Sequence, residues 1–124
     1  MAKILIVEDT AANMKLAAMV LEKAGHAVLQ AERAPEGIEI ARREHPDMVL
    51  MDIQLPGMDG IEATRILKAD AMTGDIPVLA LTSYAMKGDE ERFLAAGCNG
   101  YLTKPYHYKD LLAAVEKMLR AGRK

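Results

Sequence analysis

The sequence predicts an α/β fold built around a parallel β-sheet. Short apolar runs rich in β-branched residues alternate with longer amphipathic segments, and five such pairs follow one another along the chain. The runs are apolar throughout, which is typical of strands that helices cover on both faces. At 124 residues the chain has the size of one domain. We therefore expect a single domain over residues 1–124.

The five predicted strands are short. They cover residues 4–7, 27–29, 48–51, 78–81 and 100–102. The third and fourth runs are the most secure. The fifth run is weaker than the others.

Amphipathic spacing predicts helices between and after these strands. The first helix carries an apolar stripe formed by Met14, Ala17, Ala18 and Leu21, and the last carries one formed by Leu111, Leu112, Val115 and Leu119. Gly25 is placed to end the first helix, and Pro35 to begin the second. Three acidic residues at 89–91 lie where the positive end of the fourth helix is expected.

Composition excludes several functional classes. The net charge is -2 and the basic residues are scattered, so the chain has no electrostatic footprint for nucleic acid. No apolar stretch approaches the roughly 18 residues that cross a bilayer. Glu8 and Asp9 interrupt the N-terminal apolar run too early for a secretory signal. We therefore expect a cytoplasmic protein that does not insert into membranes.

The cysteine and the histidines indicate no metal or redox centre. The single Cys98 can form no internal disulfide and lacks the neighbours of a zinc site, so it is predicted to be a small buried apolar group. The histidines have no partners at metal-ligand spacing, and we expect them on the surface or in loops. They are His26, His45 and His107.

Polar side chains follow four of the five predicted strands. They are Glu8 and Asp9, then Asp52, then Thr82 and Ser83, then Lys104, which Pro105 follows. Because parallel strands end at one edge, where ligands bind, we expect these groups to cluster. Each has a structural alternative, since acids cap helices or open turns, threonine is common in strands, and a loop lysine is usually solvated. Capping alone does not call for a lysine facing three carboxylates, so the combination favours a functional site.

The three acids indicate a divalent metal, because carboxylates brought close together repel one another unless a cation joins them. Hard oxygen ligands, with room for waters, favour Mg²⁺ over a fully caged Ca²⁺. Such an ion beside an exposed carboxylate, a hydroxyl and an ammonium is suited to phosphoryl transfer. Asp52 would be the nucleophile. One phosphoryl oxygen would be bound by the metal and a second by Lys104. The third would be bound by the Thr82 hydroxyl together with a neighbouring backbone N–H.

These residues resemble those of the receiver domain of two-component signalling, the CheY-like family. The resemblance covers essentially the whole chain and is carried by the motifs at residues 4–9, 49–60 and 102–105. Residues 13–16 and 85–91 also resemble DivK-type single-domain response regulators. The family implies a flavodoxin-like fold, a three-layer (βα)5 sandwich with strand order 2-1-3-4-5.

The resemblance also implies the chemistry of the site. A histidine kinase or histidine phosphotransfer protein would donate the phosphoryl group to Asp52, which makes the chain a stoichiometric phosphoacceptor and not an enzyme. The implied Mg²⁺ ligands are Asp9, Asp52 and the backbone carbonyl of Gln54, with Glu8 acting through water. The Lys104–Pro105 peptide bond is expected to be cis.

The implied output is a change of protein contacts. A phosphoryl group on Asp52 would give the Thr82 hydroxyl a new partner, and Tyr101 would move into the space that opens. The changed face comprises the fourth helix, the fifth strand and the fifth helix, and it would bind a downstream protein. The chain itself is expected to be a monomer or a weak phosphorylation-dependent dimer. Residues on or near this face are Tyr84, Met86, Lys87, Tyr106 and Tyr108. We further hypothesise that Tyr84 and Gln54 flank the path of hydrolytic water, so that Tyr84 slows dephosphorylation.

Three alternatives compete with this interpretation. An aspartyl phosphohydrolase needs an acid two residues after its nucleophile, where this chain has Gln54, and an amide gives up no proton near neutral pH. A flavin or nucleotide binder needs a glycine- or hydroxyl-rich loop where Glu8 and Asp9 stand. Within the family, the chain could be a receiver from a hybrid kinase or larger regulator. Only four residues follow the last predicted helix, so we expect a stand-alone regulator.

Overall fold

The computed structural model describes residues 2–55, 57–83 and 89–122. Strands and helices alternate from one end to the other. They are β1 Lys3–Val7, α1 Ala11–Lys23, β2 Ala27–Ala31, α2 Ala34–Glu44, β3 Met48–Asp52, α3 Gly60–Ala69, β4 Val78–Thr82, α4 Asp89–Ala96, β5 Gly100–Thr103 and α5 Tyr108–Gly122. The predicted α/β class is confirmed, and each strand includes the apolar run that predicted it.

The five strands form one parallel sheet in the order β2-β1-β3-β4-β5. The implied flavodoxin-like order is therefore confirmed. β1 and β3 are neighbours in the middle of the sheet, with Val7 paired to Met51. The loops that leave these two strands consequently start side by side, at the point where the strand order reverses.

Helices pack on both faces of the sheet, and the side chains of each central strand alternate between two apolar cores. One core contains Leu5, Val7, Val49 and Met51 with residues of α2, α3 and α4. The other contains Ile4, Ile6, Met48 and Leu50 with residues of α1 and α5. Burying a side chain of this size contributes about 1.5–3 kcal/mol. The carboxyl ends of the strands, which carry the polar residues, are therefore held by a well-packed interior.

Two positions in the fold require glycine, one because of its backbone conformation and one because no space is left for a side chain. Gly25 has φ 94°, a left-handed conformation that favours glycine, and it ends α1 as predicted. A β-carbon on Gly60 would lie 2.3 Å from the Asp52 carbonyl oxygen. The absence of a side chain at Gly60 lets α3 begin directly against the end of β3.

The histidines lie on the surface or in loops, as predicted, but the one in the loop between α1 and β2 is buried. His45 and His107 are exposed, but His26 is only 9% exposed. The turn after Gly25 folds its ring inward, where Nδ1 accepts a hydrogen bond from the Ala2 N–H at 3.2 Å. Cys98 is buried, as predicted. Among the described helices, none is both long and apolar enough to cross a membrane.

Candidate functional site

Asp52 is the last residue of β3, where it is paired with Leu81 of the neighbouring strand. Its Oδ1 accepts a hydrogen bond from the Gln54 N–H at 2.9 Å, and its Oδ2 lies 3.3 Å from Lys104 Nζ. The residue is only 3% exposed. The expectation of an exposed carboxylate is therefore wrong, because Asp52 ends a central strand of the sheet and Lys104 lies over its side chain.

Two further acids follow β1. The Glu8 N–H donates to the Ala31 carbonyl at 3.0 Å, which extends the ladder between β1 and β2 by one residue. The Glu8 side chain is buried and its Oε2 accepts the Thr10 N–H at 3.2 Å, whereas Asp9 is exposed. Carboxylate oxygens of Glu8, Asp9 and Asp52 all lie within 4.8 Å of one another. The structure thus brings together the three acids that the sequence indicates.

This group of acids fits a hard divalent cation. All three side chains offer carboxylate oxygens, which are the ligands that Mg²⁺ and Ca²⁺ prefer, and their spacing allows one ion to reach them together. Asp9 is exposed, so an ion and its waters can approach from solvent. The backbone of Gln54 passes the same place, since its N–H donates to Asp52.

Lys104 supplies the positive charge at the site. Its Nζ lies 2.5 Å from Glu8 Oε1, and its backbone N–H donates to the Thr82 carbonyl at 2.7 Å. The following peptide bond, to Pro105, is cis, which is the conformation that the resemblance implies. The Lys104 side chain is only 15% exposed, so its contacts with the carboxylates are largely shielded from solvent.

The charges at the site shift one another's pKa values. Burial raises the pKa of Glu8, and the nearby Asp52 adds to this, while the hydrogen bond from Lys104 offsets only part of it. Burial alone would lower the pKa of Lys104. The hydrogen bond to Glu8 and the negative charges of Asp52 and Glu8 outweigh that effect, so the pKa of Lys104 lies above its usual value. The lysine is therefore fully charged at neutral pH.

The residues proposed for the switch lie on the β4 and β5 side of the sheet. Thr82 ends β4, is buried, and is paired with Thr103. Tyr101 is 37% exposed, and its ring centroid lies 5.8 Å from that of Phe93 of α4. Tyr106 is half-buried and Tyr108 is exposed. The predictions for Tyr84, Met86 and Lys87 fall outside the described residues.

Sequence reasoning missed one contact of the site. The Ser83 backbone N–H donates to Gln54 Oε1 at 3.3 Å, so the Gln54 side chain joins the loop after β3 to the loop after β4. The two residues are 29 positions apart. No pattern within either segment indicates this hydrogen bond, because only the pairing of β3 with β4 brings them together.

Comparisons with known proteins agree with this geometry. The response regulator receiver domain profile matches residues 4–116. The chain is 41% identical over 116 residues, 94% of both chains, to the polar-differentiation response regulator DivK of Brucella ovis. It is 34% identical, with a TM-score of 0.89, to the receiver domain of sensor histidine kinase PA1611 from Pseudomonas aeruginosa, and the match covers 96% of this chain and 98% of that chain. That receiver domain was solved with a magnesium ion coordinated in its active site cleft. It is 26% identical, with a TM-score of 0.91, to the chemotaxis protein CheY4 of Vibrio cholerae over 95% and 98% of the two chains.

Proposed function

This chain belongs to the response regulator receiver domain family, and we propose that it accepts a phosphoryl group on Asp52 and so switches its protein contacts. The convergence of Glu8, Asp9 and Asp52 with the Lys104 ammonium is the single observation that carries the proposal. The donor would be a phosphohistidine of a histidine kinase or of a phosphotransfer protein.

In the proposed reaction a carboxylate oxygen of Asp52 attacks the donor's phosphorus. The new P–O bond forms as the P–N bond breaks, and the histidine leaves as neutral imidazole after taking up a proton. Asp52 is ready for this role because Oδ1 is fixed by the backbone N–H of Gln54. Oδ2 faces Lys104, so a phosphoryl group arriving on that oxygen would meet the ammonium.

The chain's own donors would hold the transferred group. Lys104 would turn from Asp52 Oδ2 to a phosphoryl oxygen while its backbone stays anchored to Thr82. The Thr82 hydroxyl and the Ser83 N–H, at the end of the adjacent strand, would take a second oxygen. Glu8, Asp9, Asp52 and the Gln54 carbonyl would hold Mg²⁺, which supplies positive charge that lowers the cost of bringing a phosphoryl group to three acids.

The proposed output is a shift between two surface states. Drawing the Thr82 hydroxyl toward a phosphoryl group would change the end of β4, and Tyr101 on the adjacent strand would follow by moving away from its exposed position beside Phe93. The face made by α4, β5 and α5 would then bind a downstream protein, or a second copy weakly. We propose that the chain acts as a stand-alone cytoplasmic regulator, with Tyr84 and Gln54 setting the lifetime of the phosphoryl group.

Phosphoramidate tests the proposed function, because its P–N bond resembles that of phosphohistidine. Incubation with Mg²⁺ should add one phosphoryl group to the intact protein, and the adduct should survive acid and be lost in base. Asp52→Asn should form no adduct while keeping the fold. Steady release of phosphate from a small phosphate monoester would instead support the phosphohydrolase alternative.

A further inference from the structure

Gln54 contacts both the nucleophile and the next strand end. Its backbone N–H donates to Asp52 Oδ1 at 2.9 Å, and its side-chain Oε1 accepts the Ser83 backbone N–H at 3.3 Å. Gln54 and Ser83 are both exposed, so the hydrogen bond between them lies at the mouth of the site. The polypeptide thus already supplies an acceptor for the Ser83 amide.

That amide is also the backbone donor that the proposed function assigns to a phosphoryl oxygen. Ser83 directly follows Thr82, and β4 runs alongside the strand that ends in Asp52. A backbone amide has one hydrogen, so a strong bond to a phosphoryl oxygen requires that Gln54 Oε1 give way. The charged oxygen is the stronger acceptor, whereas the released Gln54 amide can return to water.

We propose that Gln54 is a positioning residue that covers the Ser83 N–H until Asp52 carries a phosphoryl group and then releases it. This inference rests on the proposed function of Asp52. Each phosphorylation would break the hydrogen bond between the loops after β3 and β4 and replace it with one to the phosphoryl group. Gln54 would therefore weaken phosphoryl binding relative to a side chain that cannot accept the bond.

Beryllofluoride tests this proposal at equilibrium. This ion coordinates a carboxylate oxygen with the shape of a phosphoryl group, and its complex is not consumed by hydrolysis. In the presence of Mg²⁺, Gln54→Met should lower the half-saturating beryllofluoride concentration by about two- to tenfold, the value of one net hydrogen bond. Methionine keeps the length of the side chain and the backbone carbonyl, but it removes the amide acceptor.

The matched control is the same change at the chain's other glutamine, Gln30, which is exposed on the outer strand β2. Gln30→Met should leave the half-saturating concentration unchanged.

A second measurement follows the Ser83 amide itself. In the ¹⁵N–¹H spectrum of the protein without beryllofluoride, Gln54→Met should shift the Ser83 resonance, and beryllofluoride should shift the same resonance in the wild-type protein.

Each outcome decides the matter. An unchanged or weakened beryllofluoride affinity in Gln54→Met would overturn the inference, and so would a Ser83 resonance that this substitution does not move. Both results leave the proposed function intact as long as the wild-type protein binds beryllofluoride and forms the Asp52 adduct. A wild-type protein that does neither would overturn the proposed function, and the inference with it.

Discussion

Lys104 Nζ lies closer to Glu8, at 2.5 Å from Oε1, than to Asp52, at 3.3 Å from Oδ2. Glu8 is the most buried of the three acids, and without the ammonium its charge would be left uncompensated in the protein interior. Lys104 therefore has two tasks, since it neutralises a buried carboxylate and covers the proposed phosphoacceptor. For Asp52 to react, the ammonium has to move from Oδ2 without leaving the site.

The first prediction concerns Lys104→Met, which keeps the volume of the side chain and removes its charge. We expect the rate of Asp52 phosphorylation by phosphoramidate to fall by about 10- to 100-fold, the value of one hydrogen bond to a charged group. The rise in Tm that Mg²⁺ produces should be larger than in the wild-type protein, because the ammonium no longer competes for the carboxylates. Lys109→Met, a change at an exposed lysine of α5, is the control. A wild-type phosphorylation rate in Lys104→Met would contradict this role.

The second prediction concerns the pH dependence that Glu8 gives to stability. Burial raises its pKa in the folded protein above the ordinary 4.5, so the folded state holds this proton more tightly than the unfolded state. Stability contributed by Glu8 is then fully present below pH 4.5 and is lost as the pH rises through the folded-state pKa. Relative to Glu8→Gln, the wild-type protein should therefore become less stable over this interval.

Urea unfolding of both proteins at several pH values, without Mg²⁺, measures this difference. A difference in unfolding free energy that is constant with pH, or that grows in favour of the wild-type protein as the pH rises, would contradict the raised pKa of Glu8. Addition of Mg²⁺ near neutral pH should stabilise the wild-type protein more than Glu8→Gln, because the variant has lost one of the three charges.

The third prediction separates metal binding from folding. Asp9 is exposed, so Asp9→Asn should change the unfolding free energy without metal by no more than about 0.5 kcal/mol. The same change should weaken Mg²⁺ binding, because an amide replaces a charged ligand oxygen. Isothermal titration with Mg²⁺ checks the affinity. An unaltered Mg²⁺ affinity in Asp9→Asn would remove Asp9 from the proposed ligand set.

The fourth prediction concerns the backbone around Asp52. Because a β-carbon on Gly60 would lie 2.3 Å from the Asp52 carbonyl oxygen, Gly60→Ala has to push α3 away from the end of β3. We expect a loss of unfolding free energy of about 1–3 kcal/mol, together with slower phosphorylation of Asp52. Gly57→Asn is the control, because nothing lies within 4 Å of a β-carbon there and asparagine tolerates its positive φ. Equal effects of the two substitutions would contradict the steric explanation.

The sequence predicted the fold well because its signals are local. The continuous apolar runs of β3 and β4 indicate strands covered on both faces, and both strands are buried throughout. Gly25 and Pro35 mark helix ends through their own backbone preferences. The shared edge of parallel strands then explains why Glu8, Asp52 and Lys104 meet, although they are far apart in the chain.

Other features depend on contacts that no local pattern carries. Asp52 is buried because Lys104, 52 residues later, lies over it. His26 turns inward because it meets the N–H of Ala2, the residue before the first strand. The hydrogen bond from Ser83 to Gln54 exists only because β3 and β4 are adjacent. In each case a side chain is placed by a tertiary neighbour and not by its own segment.

The most direct test of the account identifies the residue that carries the phosphoryl group. Borohydride converts an aspartyl phosphate to homoserine, so peptide mapping after phosphorylation and reduction reports the modified position. We predict homoserine at residue 52 in the protein treated with Mg²⁺ and phosphoramidate, and aspartate at residue 9. Homoserine at residue 9, or a phosphorylated protein with unmodified Asp52, would contradict it.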